Sequence, residues 1–166
     1  MISPLSVAVN WGDTTRYTYN GNVQGPTASY ADVSGASHTL TSSGLGTNVG
    51  IYTASVTADA AGGNYTLNNL TCEYEIGKLI GKVLWVVADY YIANGQPQVP
   101  RAFVVGVNGD FIELPINGAG TKAGEYTAEI DLSQVDSNIE LSGEMSYRYK
   151  IKAENLFGPV GTALSI

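Results

Sequence analysis

Gly50-Ile51-Tyr52-Thr53-Ala54-Ser55-Val56 and Gly124-Glu125-Tyr126-Thr127-Ala128-Glu129-Ile130 are one pattern written twice, 74 residues apart. Each is a turn glycine followed by residues alternating between apolar and polar, the period of a strand with one face buried. The same offset joins Trp11 to Trp85, Tyr17 to Tyr91, Asn20-Gly21 to Asn94-Gly95, Pro26 to Pro100, and Gly44 and Gly46 to Gly118 and Gly120. Near the end of the repeat one inserted residue shifts the register, so Tyr74 and Ile76 answer to Tyr149 and Ile151. Chance does not hold one spacing through so many Trp, Tyr, Pro and Gly positions. The chain is two copies of one β module in tandem.

This organisation sets the expected boundaries: a first domain over 1–78, a second over 79–153, and a C-terminal arm over 154–166. Modules of that size have little core volume for their surface and need most of their large apolar residues inside. The 11 Tyr and 20 Gly of the 166 residues suit strands and turns, and helical spacing is rare. Gly77-Lys78-Leu79-Ile80-Gly81-Lys82 reads as a connector too short to be a loose tether, so the modules are expected to stack end to end.

Within the first copy, Val7, Val9 and Trp11 alternate onto one face of a first strand. Tyr17-Thr18-Tyr19-Asn20-Gly21 then ends in the Asn-Gly pair, which tolerates positive φ at both residues and so marks a turn. Further strands are expected near Ala28–Val33, His38–Thr41, Gly50–Ala58, Tyr65–Leu67 and Cys72–Ile76. Six or seven short strands between turn signals are the profile of a small β-sandwich. The fold class is therefore all-β: two tandem Ig-like sandwiches with a short C-terminal extension.

Tyr17-Thr18-Tyr19-Asn20-Gly21, Gln24-Gly25-Pro26, Gly50-Ile51-Tyr52-Thr53-Ala54, Asn64-Tyr65 and Ile76-Gly77-Lys78 follow one another in an order that resembles the MBG/YDG-type Ig-like repeats of bacterial surface proteins. The second copy departs from that pattern at Ala93, Ile139 and Lys152-Ala153. The resemblance spans about residues 5–153. It implies an Ig-like fold and a role as a structural spacer in adhesins and surface arrays, with no catalytic residues to carry over. Ig-like modules of this general kind also occur on tailed-phage virions, an analogy of fold alone.

Several residues invite chemistry, and each has a plainer reading. His38, the sole histidine, aligns with Ile112 and reads as an ordinary core or half-buried strand position without a nucleophile beside it. Glu73 with Glu75, and Glu125 with Glu129, alternate with apolar residues and read as the wet face of a half-buried sheet rather than a glycosidase pair. Asp59 with Asn64, and Asp131 with Asp136 and Asn138, could offer oxygen ligands, but without EF-hand spacing. Asn64 and Asn69 fit the glycosylation acceptor pattern. Trp11 and Trp85 recur at alternating strand positions and read as core before sugar platform. No cofactor, metal or catalytic set is expected.

Charge narrows the partners. Fifteen acidic against 8 basic residues give a net charge of -7, which disfavours a nucleic-acid phosphate backbone or an anionic membrane. Cys72 is the single cysteine, so no intrachain disulfide forms. The Met1-Ile2-Ser3-Pro4 start has no leader pattern, and no apolar run is long enough to span a bilayer. The apolar residues Leu156, Phe157, Val160, Leu164 and Ile166 of the last segment are the expected docking residues, for a capsid, a neighbouring surface subunit or another copy of the chain. Taken together, these features favour a non-enzymatic structural protein on a virion surface, decorating a capsid. The alternatives are a spacer or adhesive repeat from a bacterial cell surface or secreted protein, and a carbohydrate-binding module for a host-surface glycan.

Overall fold

The computed structural model describes residues 3–154. Their regular structure is almost wholly β, arranged in several small sheets, with one 3₁₀ turn at Leu132–Gln134. The chain divides into two compact units between Leu79 and Ile80.

The first unit holds β1 (Leu5–Ala8), β2 (Arg16–Thr18), β3 (Ala28–Ala31), β4 (Ser37–Leu40), β5 (Gly50–Ser55), β6 (Tyr65–Asn68) and β7 (Thr71–Gly77). β1 lies parallel to β6, with Leu5 opposite Tyr65, and β3 lies antiparallel to β4. A bridge between Asn10 and Ser29 joins those two pairs. β2 runs parallel to β7, which is antiparallel to β5, so that Tyr52 faces Tyr74. The core forms where side chains from both sets meet. Val9, Trp11, Ala28 and Leu40 come from one, Ala54, Tyr74 and Ile76 from the other, in a sandwich-like arrangement. Full burial of a side chain such as Ile76 stabilises by about 1.5–3 kcal/mol.

The second unit repeats this plan with β8 (Leu79–Lys82), β9 (Leu84–Val86), β10 (Tyr91–Ile92), β11 (Arg101–Val105), β12 (Phe111–Glu113), β13 (Ile116–Asn117), β14 (Gly124–Ile130), β15 (Ile139–Ser142) and β16 (Ser146–Lys152). β8 neighbours β15, and β11 lies antiparallel between β9 and β12. β10 runs parallel to β16, β16 antiparallel to β14, and β14 antiparallel to β13. The buried residues fall into two groups, one around Val83, Ala102, Val104, Leu114 and Ile130, the other around Ala128, Tyr149 and Ile151. Trp85 packs against both.

The repeated residues build one framework in each unit. Tyr74 stacks on Tyr52 with ring centroids 5.5 Å apart and takes the edge of Tyr17 at 5.7 Å. Tyr149 does the same with Tyr126 at 5.6 Å and Tyr91 at 5.7 Å. The buried Tyr74 hydroxyl accepts from the Gly46 N–H at 2.8 Å and donates to the Gly44 carbonyl at 3.1 Å. Tyr149 donates to the Gly118 carbonyl at 2.6 Å. Burial pushes the Tyr74 and Tyr149 phenols up from their ordinary pKa. Gly44 and Gly118 have φ of 81° and 97°, and a Cβ there would meet the backbone carbonyl of Thr53 or Thr127. These glycines are therefore fixed by both conformation and space.

Two expectations change. Gly77–Lys82 is not a connector, because Leu79–Lys82 is β8, paired to β15, and only Lys78 separates it from β7. Gly81 is buried, and a Cβ added there would run into the Val104 side chain, which is why an apparent spacer glycine lies inside a strand. The first strand begins at Leu5 and ends as regular structure at Ala8, yet the inward alternation of Val9 and Trp11 continues past it. The inserted residue falls in the turn after β15. Trp11 Nε1 donates to the Asn69 carbonyl and Trp85 Nε1 to the Glu144 carbonyl, each at 2.8 Å, an offset of 74 in the donor and 75 in the acceptor. The extra residue is absorbed there without disturbing either ladder.

Candidate functional site

His38 lies on β4 but is exposed, contrary to the half-buried or core position expected for it. The reason is a local polar cluster in the β3–β4 hairpin. His38 Nε2 is 2.7 Å from Asp32 Oδ2, and the ring stacks on Tyr30 at 5.0 Å. Ser34 Oγ and the N–H groups of Ser34 and Ala36 donate to Asp32 Oδ1. These bonds, His38 first and Ser34 second, hold the Asp32 carboxyl far below the usual carboxylate range. The cluster contains Ser, His and Asp, but the carboxylate stands between the other two. The hydroxyl donates to Asp32, not to the imidazole, so no base activates it. Its geometry is that of a turn lock.

The carboxylate pairs occupy the outer faces foreseen for them. Glu73 and Glu75 alternate with buried Tyr74 and Ile76 on β7, and Glu75 pairs with Arg16 at 3.2 Å. Glu125 and Glu129 alternate with buried residues on β14, and Glu125 meets Arg148 at 3.3 Å. Two of the loop acids, Asp131 and Asp136, serve their own turns. Asp131 caps the 3₁₀ turn, taking bonds from the Ser133 N–H and hydroxyl and from the Gln134 amide, and Asp136 accepts from the Asn138 N–H. No cluster of three or more His, Cys, Asp or Glu suited to a metal occurs among the described residues. Asn69 turns its amide to the Val9 carbonyl at 3.0 Å, with φ of 57°. Trp11 is buried, and Trp85 is half-buried against Tyr147. Leu156, Phe157, Val160, Leu164 and Ile166 lie outside the described residues.

A different feature stands out in the second unit. Ala102 and Val104 of β11 point into the core, so Arg101, Phe103 and Val105 point the other way. Registry places Leu84 and Val86 of β9, and Phe111 and Glu113 of β12, on that same outer face. Phe111 is 68% exposed and Val86 58%. Phe111 meets Phe103 edge to face at 6.4 Å. Arg101 lies over Phe103 at 5.0 Å and binds Glu113 through two bonds of 2.8 and 3.0 Å, which raises the Arg101 pKa and lowers that of Glu113. The result is an apolar sheet face crossed by one bidentate ion pair.

The first unit provides an internal control for this face. Residues 74 earlier are Asn10 and Gly12 for Leu84 and Val86, Ser29 and Ala31 for Phe103 and Val105, and Ser37 for Phe111. The inward residues beside them stay apolar or aromatic, Ala28 with Ala102 and Leu40 with Leu114. The fold thus forms with this face small and polar. The sequence carried the signal, since the offset aligns Ser29 with Phe103, but a search for catalytic residue types passes over it.

No known family model matches the chain, and no curated protein is significantly similar to it.

Proposed function

We propose that this is a non-enzymatic structural protein of two tandem Ig-like β-sandwich units, displayed on a surface, and most specifically a decoration protein that docks on the protein shell of a capsid. The observation that carries this reading is the contrast between framework and surface. Both units keep the same tyrosine stack, buried hydroxyl and glycine turn, while their outward residues diverge. Asp32, His38, Asp131, Asp136, Glu75 and Glu125 are engaged in turns, caps and surface ion pairs. Such a body suits holding and contacting rather than transforming a substrate. The order of motifs that resembles MBG/YDG-type repeats supports the Ig-like assignment and favours a second reading, a spacer from a bacterial cell-surface adhesin. Burial of Trp11, and the bond from Trp85 Nε1 to Glu144, weigh against a sugar platform.

The genes flanking this reading frame test the choice. A portal, a terminase and a major capsid protein beside it, followed by co-sedimentation of the purified chain with the assembled shell, are the expected result. A reading frame that runs on into further repeats and a wall anchor overturns the capsid reading in favour of the adhesin.

A further inference from the structure

We infer that the outer face of β9, β11 and β12 is a self-association surface, on which a second copy of this chain packs its own β9–β11–β12 face. The inference stands whichever surface displays the protein. Leu84, Val86, Phe103, Val105 and Phe111 form a contiguous apolar face by registry, and burial of such surface drives association. Its first-unit counterparts show that neither the core nor the turns demand these residues, so the apolar character answers to something outside the unit.

Charge points to a second copy as the occupant. The chain carries a net charge of -7, so two copies repel over most of their surfaces. This face holds one cation and one anion, Arg101 and Glu113, with side chains 62% and 52% exposed. A two-fold axis through the face brings Arg101 of one copy to Glu113 of the other and the reverse. The surface is therefore self-complementary in sign, as an isologous contact requires. β11 has five residues and β9 and β12 three each, so at about 3.4 Å per residue and about 4.8 Å between strands the face covers roughly 180 Å². A standard stable interface needs about 800 Å² on each partner, so the contact is weak and depends on concentration, strengthened where copies are crowded on one support.

Sedimentation velocity of the full chain from about 5 to 500 μM tests this, beside Phe103→Ser/Phe111→Ser, which installs the residues that the first unit holds at those positions. The expected result is a monomer–dimer equilibrium weakened at least tenfold in the double variant, with the same far-UV spectrum and melting curve. If the double variant melts early, Phe111→Ser alone, at a site 68% exposed, gives the same comparison. The reversal Arg101→Glu should also weaken the dimer, and Arg101→Glu/Glu113→Arg should restore it. A wild-type chain that stays monomeric up to about 500 μM overturns the inference, as does a dimer that the serine substitutions leave unchanged.

Discussion

Tyr74→Phe removes one oxygen and little else, which makes it a sharp test of the framework. Tyr74 is 2% exposed, and its ring contacts with Tyr52 and Tyr17 survive the change. What goes is the acceptor for the Gly46 N–H at 2.8 Å and the donor to the Gly44 carbonyl at 3.1 Å. The Gly46 N–H is buried, and no water replaces the hydroxyl without a cavity to hold it. An unsatisfied buried donor costs about 1–3 kcal/mol. For a unit of this size each kcal/mol moves the melting temperature by about 4–8 °C, so a loss of about 2 kcal/mol lowers the first unit's midpoint by roughly 8–16 °C. Differential scanning calorimetry reads the shift. Tyr52→Phe is the control, because its hydroxyl donates to the Asn48 carbonyl at the exposed surface, and removing it should cost under about 0.5 kcal/mol. If Tyr74→Phe melts within about 2 °C of wild type while Tyr52→Phe does not, the hydroxyl is not the element that fixes this turn.

Other consequences follow from the same structure. Gly44→Ala forces a Cβ into left-handed backbone against the Thr53 carbonyl and should cost more than about 2 kcal/mol by chemical denaturation, with Gly118→Ala doing the same in the second unit. Asp32, Glu113 and Asp131 all titrate below their ordinary values when folded. Their stabilisation is complete above the unfolded carboxylate pKa of about 4 and is lost as pH falls towards the folded values, so the melting midpoint should drop from pH 5 to 2, and a flat profile would refute this. Tyr17, Tyr74 and Tyr149 are shifted upward, so their contribution is full below the unfolded pKa of about 10 and is lost as pH rises beyond it; ultraviolet titration should show phenols ionising later than in the denatured chain.

The architecture was legible where local chemistry is decisive. The turn glycines, the alternating Tyr52 and Tyr126 strands and the one-residue shift before Tyr149 all depend on backbone conformation and on period, which a sequence displays directly. Other features depend on partners far along the chain. Gly81 looks like a spacer until β15 pairs with its strand and Val104 closes over it. His38 aligns with Ile112, but its exposure follows from the bond to Asp32 and the stack on Tyr30, which exist only once the hairpin closes. The apolar face is hidden in the sequence for another reason. Phe103 and Phe111 look like core residues in isolation, and only the registry of β11 against buried Ala102 and Val104 turns them outward.

The parallel pairing of β2 with β7 bears on how the chain folds as it is made. Arg16 lies opposite Glu75 across 59 residues, so the first unit closes only when nearly all of it has been synthesised, and β8 begins one residue after β7 ends. Two look-alike modules so close in sequence invite exchange, with β2 closing on β16 instead of β7. At the position that aligns with Glu75, β16 carries Lys150. The exchanged closure would set Arg16 against that lysine, a like-charge pair on adjacent strands, where the correct closure forms an ion pair at 3.2 Å. The opposite signs of Glu75 and Lys150 thus bias β2 towards β7 over the matching strand of the second unit.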